Sequence, residues 1–188
     1  DMAMYLAKKA GKNQYSFYTS EIGEKVISDL KLNEELIEAI KKHQFEVYYQ
    51  PQIDITSAKI IGAEALVRWN HPTKGVLYPQ SFIGFCEARG YIIDIGIQVI
   101  EQGIRDMKKW LTEGYDIQSI AINLSVRQLK SKDFLPTLKK VLQISGISTK
   151  YLEFEITETM LMEDYEYSCK VLDELSSLGI KISIDDFG

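Results

Sequence analysis

A chain of 188 residues with 45% hydrophobic and 26% charged content has the make-up of a globular protein, one domain of ordinary size with room for a small appendage. Its formal net charge of −5 and pI of about 5.2 argue against a broad electrostatic grip on DNA or RNA and leave open a small anion held by a few local cations. No stretch reaches the roughly 18 uninterrupted apolar residues of a membrane span. The two cysteines, Cys86 and Cys169, lack CxxC or Cys/His spacing and read as reduced thiols of a cytoplasmic protein.

Residues 1–18 read as a short helix through Ala10, a stop at Gly11 and a strand over Gln14 to Tyr18. Such a unit cannot bury its apolar face alone. It is expected to close a preceding domain, and the chain, opening at Asp1 without an initiator Met, looks like a piece of something longer. From Thr19 to Lys42 the sequence is polar and helical, with Ile22, Val26, Leu30, Leu36, Ile37 and Ile40 on one face and Asn33 as N-cap of a second stretch. Residues 19–29 read as a helical linker and residues 30–188 as the main domain. At Phe45 the period becomes that of strands, and FEVYYQPQIDI and KIIGAEALVRW form an antiparallel hairpin around Thr56 to Ala58. A loop, HPTKGVLYP, leads to helices over about Gln80 to Arg89 and Asp94 to Glu113, closed by Gly90 and Gly114. Strands over Ser119 to Ser125, Tyr151 to Ile156 and Ile180 to Asp186 then alternate with helices over Phe134 to Ile144 and Tyr165 to Leu178. That alternation implies a parallel α/β sheet, either open and doubly wound or closed as a TIM-type barrel.

Within IIGAEALVRW, Glu64 lies among Ala63, Ala65, Leu66 and Val67. A carboxylate buried on one side is costly unless it is paired or holds a cation, and an internal ion pair or a metal would answer that need. The pattern recurs: Glu64, Asn123, Glu155, Asp185 and Asp186 each sit in or at the C-terminal end of an otherwise apolar strand, the edge where parallel α/β folds build their sites. In the last three strands Asn123 shares parity with Ala121, Glu155 with Glu153, and Asp185 with Ser183, so each can project from one face. All are oxygen ligands unaccompanied by His or Cys, a set suited to Mg²⁺ or Mn²⁺ and unsuited to zinc. They exceed what one magnesium takes from protein, and the adjacent Asp185 and Asp186 could serve two ions, as in sites that cleave phosphodiesters. Arg68 offers a fork of donors for a phosphate, or a surface ion pair. Gln50, beside Pro51, can donate and accept hydrogen bonds or simply close a turn. Tyr48, Tyr49, Trp69 and Phe154 read as core, and His71 as a loop residue.

The opening DMAMYLAKKAGKNQYSFY resembles the C-terminal end of GGDEF diguanylate cyclase domains, with Lys12 where that pattern usually has Arg. From about Leu30 to the last residue, YYQPQ, EALVRW, HPxxG with Pro79 and Phe82 following, INLS, EITE and DDFG resemble the EAL domain family in order and spacing. The resemblance implies a cyclic di-GMP phosphodiesterase on a modified TIM-type (β/α) barrel with an antiparallel first strand. Because the chain stops inside DDFG, only the N-terminal part, about five of the eight barrel strands, is expected. The implied metal ligands are Glu64, Asn123, Glu155, Asp185 and Asp186, holding Mg²⁺ or Mn²⁺ as two ions. The implied ligand contacts are Gln50, Leu66 and Arg68, with Pro79 and Phe82 nearby, and Glu158, the second acid of EITE, anchors the loop after the paired aspartates.

Two cations at such a site would neutralise the phosphodiester and acidify a water that attacks in line, opening cyclic di-GMP to linear pGpG. The alternative is a receptor that binds the dinucleotide without turnover. Degenerate receptors typically lose the first Glu, the Asn or a DDFG aspartate; Glu64, Asn123, Asp185 and Asp186 are all retained, which favours the enzyme. The resemblance also implies a GGDEF domain upstream, a homodimer through the EAL domain, and a cytoplasmic bacterial protein whose remainder can carry a membrane anchor. The chain by itself is expected to be neither a folding unit nor active, because a last strand from Ile180 to Asp186 would leave a bare apolar edge.

Overall fold

The computed structural model describes residues 20–157 and 165–185, so the readings made for residues 1–18, Glu158 and Asp186 lie outside the described residues. The chain divides into two units at the junction of Lys42 and His43. In the first, a single helix, α1 (Ser20–Lys41), runs unbroken. Asn33 does not cap a second stretch: it lies inside the helix, where the strong helix formers Lys31, Leu32, Glu34, Glu35 and Leu36 outweigh its preference for an end. Leu36 and Ala39 are buried, whereas Leu30, expected on the same face, is exposed.

The second unit opens with the expected antiparallel hairpin, β1 (Phe45–Asp54) and β2 (Lys59–His71). Asp54 holds its turn, Oδ1 accepting from the Ser57 N–H and hydroxyl, both at 2.7 Å. Gln52 faces Gly62 but Ile53 faces Ile60, so Ile61 is an extra residue on β2, a bulge. The Ile61 carbonyl accepts from the Gln118 N–H at 2.7 Å. Parallel pairing with β4 (Ser119–Asn123) starts at the next residue, Gly62 against Ser119. β5 (Leu152–Thr157) and β6 (Lys181–Asp185) add in parallel, giving the order β1-β2-β4-β5-β6 among the described residues. HPTKGVLYP is not all loop, because β3 (Gly75–Leu77) folds back on the end of β2 and sets Leu77 against Trp69. A strand this short shows no alternation from which it could be read.

Helices cover one side of this sheet. After a 3₁₀ turn at Pro79–Ser81, α2 (Ile83–Arg89) ends at Gly90, whose φ of 87° places no Cβ against the backbone. The long α3 (Ile92–Thr112) buries Ile92, Ile95, Val99, Ile100, Ile104 and Met107 along one stripe and packs on β1, β2 and β4. A one-turn helix not expected from the sequence, α4 (Val126–Leu129), follows β4, and α5 (Phe134–Ser145) and α6 (Tyr165–Ser177) form the later crossovers. Val47, Ala65, Trp69, Ile122 and Phe154 are buried on the helix side. Each fully buried large apolar side chain contributes about 1.5–3 kcal/mol, so together they lock the alternation of the strands. The opposite face is thereby left to the polar residues.

Candidate active site at the carboxyl edge of the sheet

Residues paired directly across a ladder share a face. Gln50 stands opposite Glu64, Tyr48 opposite Leu66 and Glu46 opposite Arg68. Glu64 pairs with Ala121, Asn123 with Glu155, and Thr157 with Asp185. Gln50, Glu64, Leu66, Arg68, Asn123, Glu155 and Asp185 therefore lie on one face, opposite the helices. Asn123 ends β4, and its Nδ2 donates to Glu64 Oε1 at 2.8 Å. The backbone just beyond is held twice. The Leu124 N–H donates to the Glu155 carbonyl at 2.9 Å, and Ser125 and Gln128 form a reciprocal capping box at the start of α4.

Two glutamates of β5 have opposite electrostatic fates. At Glu153, burial works to raise the pKa, but hydrogen bonds from Lys181 at 2.8 Å and from Ser119 at 3.2 Å help outweigh it and hold the carboxyl below its ordinary 4.5. This acid has its own cation. At Glu155, two residues nearer the carboxyl edge, burial and then the charges of Glu64, Asp185 and Glu153 push the carboxyl up to about 7, against the pull of Lys181. The donors fit one or two small divalent cations: all are oxygen, and positive charge would relieve the repulsion that raises Glu155. Among the described residues no three acids, His or Cys converge tightly enough to hold an ion by themselves. Asn123 would have to contribute its Oδ1, and Asp186 lies outside the described residues.

The remaining expected residues divide. Leu66 and Pro79 line a largely apolar cleft of about 410 Å³ with Ile83, Ile95, Asn123 and Thr157. Phe82 does not reach that surface. It is 1% exposed and packs its ring against Phe45 and Trp69, each at 5.7 Å. Trp69 and Phe154 are core as read, and Tyr49 is half-buried with its hydroxyl donating to Asp106 Oδ2 at 2.6 Å. Tyr48 is not core: it is exposed on the site face, in phase with Gln50, and that phase was a signal available in the sequence. Tyr78, also exposed, was not singled out from the sequence at all. His71 is the buried last residue of β2, its Nδ1 accepting from the Thr73 and Lys74 N–H groups at 3.2 and 3.3 Å.

A mixed sheet with one antiparallel entry strand, helical crossovers and oxygen donors along its carboxyl edge defines part of a TIM-like α/β barrel with an acidic site at the strand ends. The chain belongs to the EAL domain family, whose model matches residues 33–188. It is 44% identical to the signaling protein YkoW of Bacillus subtilis, 36% to the bifunctional diguanylate cyclase/cyclic di-GMP phosphodiesterase MucR of Pseudomonas aeruginosa, and 35% to the cyclic di-GMP phosphodiesterase PdeR of Escherichia coli. These alignments take in 100% of this chain but only 23%, 27% and 28% of the relatives, so the chain spans about a quarter of their length. The MucR phosphodiesterase in complex with c-di-GMP superposes with a TM-score of 0.79 at 35% identity, over 84% of this chain and 64% of that one. The EAL enzyme Bd1971 with cAMP and cyclic di-GMP gives 0.79 at 28% identity, over 98% and 48%. No helix among the described residues is long and apolar enough to cross a membrane.

Proposed function

We propose that this chain carries the catalytic face of a phosphodiesterase that hydrolyses cyclic di-GMP to linear pGpG. The observation that supports it most is the one sheet face shared by Gln50, Glu64, Leu66, Arg68, Asn123, Glu155 and Asp185. PdeR is named a cyclic di-GMP phosphodiesterase, and the MucR structure holds that dinucleotide. Glu64, Asn123, Glu155 and Asp185, with Asp186, would hold Mg²⁺ or Mn²⁺, which when bound would neutralise the phosphodiester and lower the pKa of a water. Arg68 binds the phosphate through its fork of N–H donors. Gln50 meets a guanine edge, Leu66 and Pro79 offer the apolar wall, and Glu158 anchors the loop beyond the paired aspartates. Residues 1–18 end a GGDEF domain upstream, a reading supported by the bifunctional description of MucR.

The test incubates the full-length protein that contains this chain with cyclic di-GMP and Mg²⁺ or Mn²⁺ and separates the products by chromatography. Linear pGpG is expected, with none in EDTA and none from Glu64→Ala. Tight binding by calorimetry without pGpG under any divalent cation would replace hydrolysis with the receptor reading.

A further inference from the structure

We infer that Tyr48 and Tyr78, with the Arg68 guanidinium against both rings, form a stacking platform for a purine base of the bound dinucleotide; the inference rests on the reading of the substrate as cyclic di-GMP. Tyr48 stands opposite Leu66 in the hairpin ladder, which puts its ring on the face that carries Gln50 and Glu64. Tyr78 precedes the 3₁₀ turn at Pro79–Ser81. The guanidinium carbon of Arg68 lies 4.8 Å from the centre of the Tyr78 ring and 5.7 Å from that of Tyr48. Nη1 of Arg68 donates to the Val67 carbonyl at 2.9 Å, which tethers the guanidinium beside the rings.

Rings whose role is packing are covered, as Trp69 and Phe82 are at 0% and 1% exposure, but Tyr48 keeps 46% of its surface exposed and Tyr78 59%. Both are nevertheless held on firm backbone. Tyr48 is within a paired strand, and the Tyr78 carbonyl accepts from the Ser81 N–H at 3.0 Å and hydroxyl at 2.7 Å. Two partly exposed rings on held backbone, each with a permanent cation over one face and each bordering the acidic face, match a ligand that joins a flat aromatic ring to a phosphate. A nucleotide has that combination, and a purine offers the larger face. Stacking on an aromatic ring recognises the face of a base and needs no hydroxyl.

The test is steady-state hydrolysis of cyclic di-GMP by single variants of the full-length protein. Tyr48→Leu and Tyr78→Leu are each expected to raise KM about tenfold while kcat stays within about twofold, and Tyr48→Phe and Tyr78→Phe to keep the wild-type KM. Thermal melts of all four should match the wild type, because neither ring is buried. Wild-type turnover with unchanged KM in both Leu variants would overturn the platform and leave the substrate reading standing. Equal losses in the Leu and Phe variants, or a fall in kcat at constant KM, would also overturn it, assigning these residues a hydroxyl or structural role. If the wild type neither turns over nor binds cyclic di-GMP, the substrate reading fails and the platform falls with it.

Discussion

Replacing Glu155 by Gln asks whether the acids of the site work against folding. Burial and the charges of Glu64, Asp185 and Glu153 push the Glu155 carboxyl up to about 7 from an ordinary 4.5. Between those values the folded protein keeps a proton that the unfolded chain has released. Stability therefore falls as pH rises through this window and stays lowered above it. At about 1.4 kcal/mol per tenfold change in proton affinity the window corresponds to about 3 kcal/mol; partial exposure of the carboxyl reduces this to about 2 kcal/mol. Gln keeps the shape and removes the charge. Metal-free Glu155→Gln should then be about 2 kcal/mol more stable than the wild type at about pH 8 and no more stable at about pH 4, measured by urea denaturation in EDTA. Saturating Mg²⁺ or Mn²⁺ should narrow the gap at the higher pH by stabilising the wild type. An advantage equal at both pH values would point to packing and refute the argument, as would no advantage at the higher pH.

Arg68→Ala should weaken cyclic di-GMP binding by about 1.5–3 kcal/mol, the worth of a charge-assisted hydrogen bond, without lowering the melting temperature; equal affinities by calorimetry would remove Arg68 from the site. A Cβ at Gly96 would overlap the side-chain amide of Gln128, which is 2% exposed and caps the turn after Asn123. Gly96→Ala should accordingly destabilise the fold by about 1–3 kcal/mol, read from the shift of the thermal midpoint, and an unchanged midpoint would show that Gln128 moves aside freely.

The parity of Asn123, Glu155 and Asp185 was legible in the sequence because parallel strands keep a strict period of two, and the ladder puts these residues on the site face. The pairing of Gln50 with Glu64 was not, since the bulge at Ile61 shifts the register that the hairpin turn alone would set. Tyr48, read as core, is exposed, whereas Phe82, placed by the resemblance near the ligand, is buried. An aromatic ring suggests burial by its type, yet position decides, and the phase of Tyr48 with Gln50 carried more information than its hydrophobicity. The S-x-x-Q of Ser125 and Gln128 is a capping-box signature that no periodic run followed, so α4, only one turn long, was left unread. Asn33 illustrates the reverse, a residue with a strong end preference overridden by neighbours that all favour helix.

The extra residue at Ile61 acts as punctuation between two reading frames of the hairpin. On its far side β1 and β2 form a two-stranded ribbon, with Ile53, Ile55 and Ile60 open to solvent. On its near side the strands are part of the sheet, and the carbonyl of Ile61 receives the N–H that brings β4 in. Residues added in pairs to the ribbon would lengthen it without turning any site residue, because the frame is reset before Glu64. Removing Ala65, beyond the bulge, would act differently. It would carry Leu66 and Arg68 to the helix side and bring Val67 and Trp69 out in their place. The hairpin thus has one end open to variation in length and another in which a single deletion exchanges active site for core.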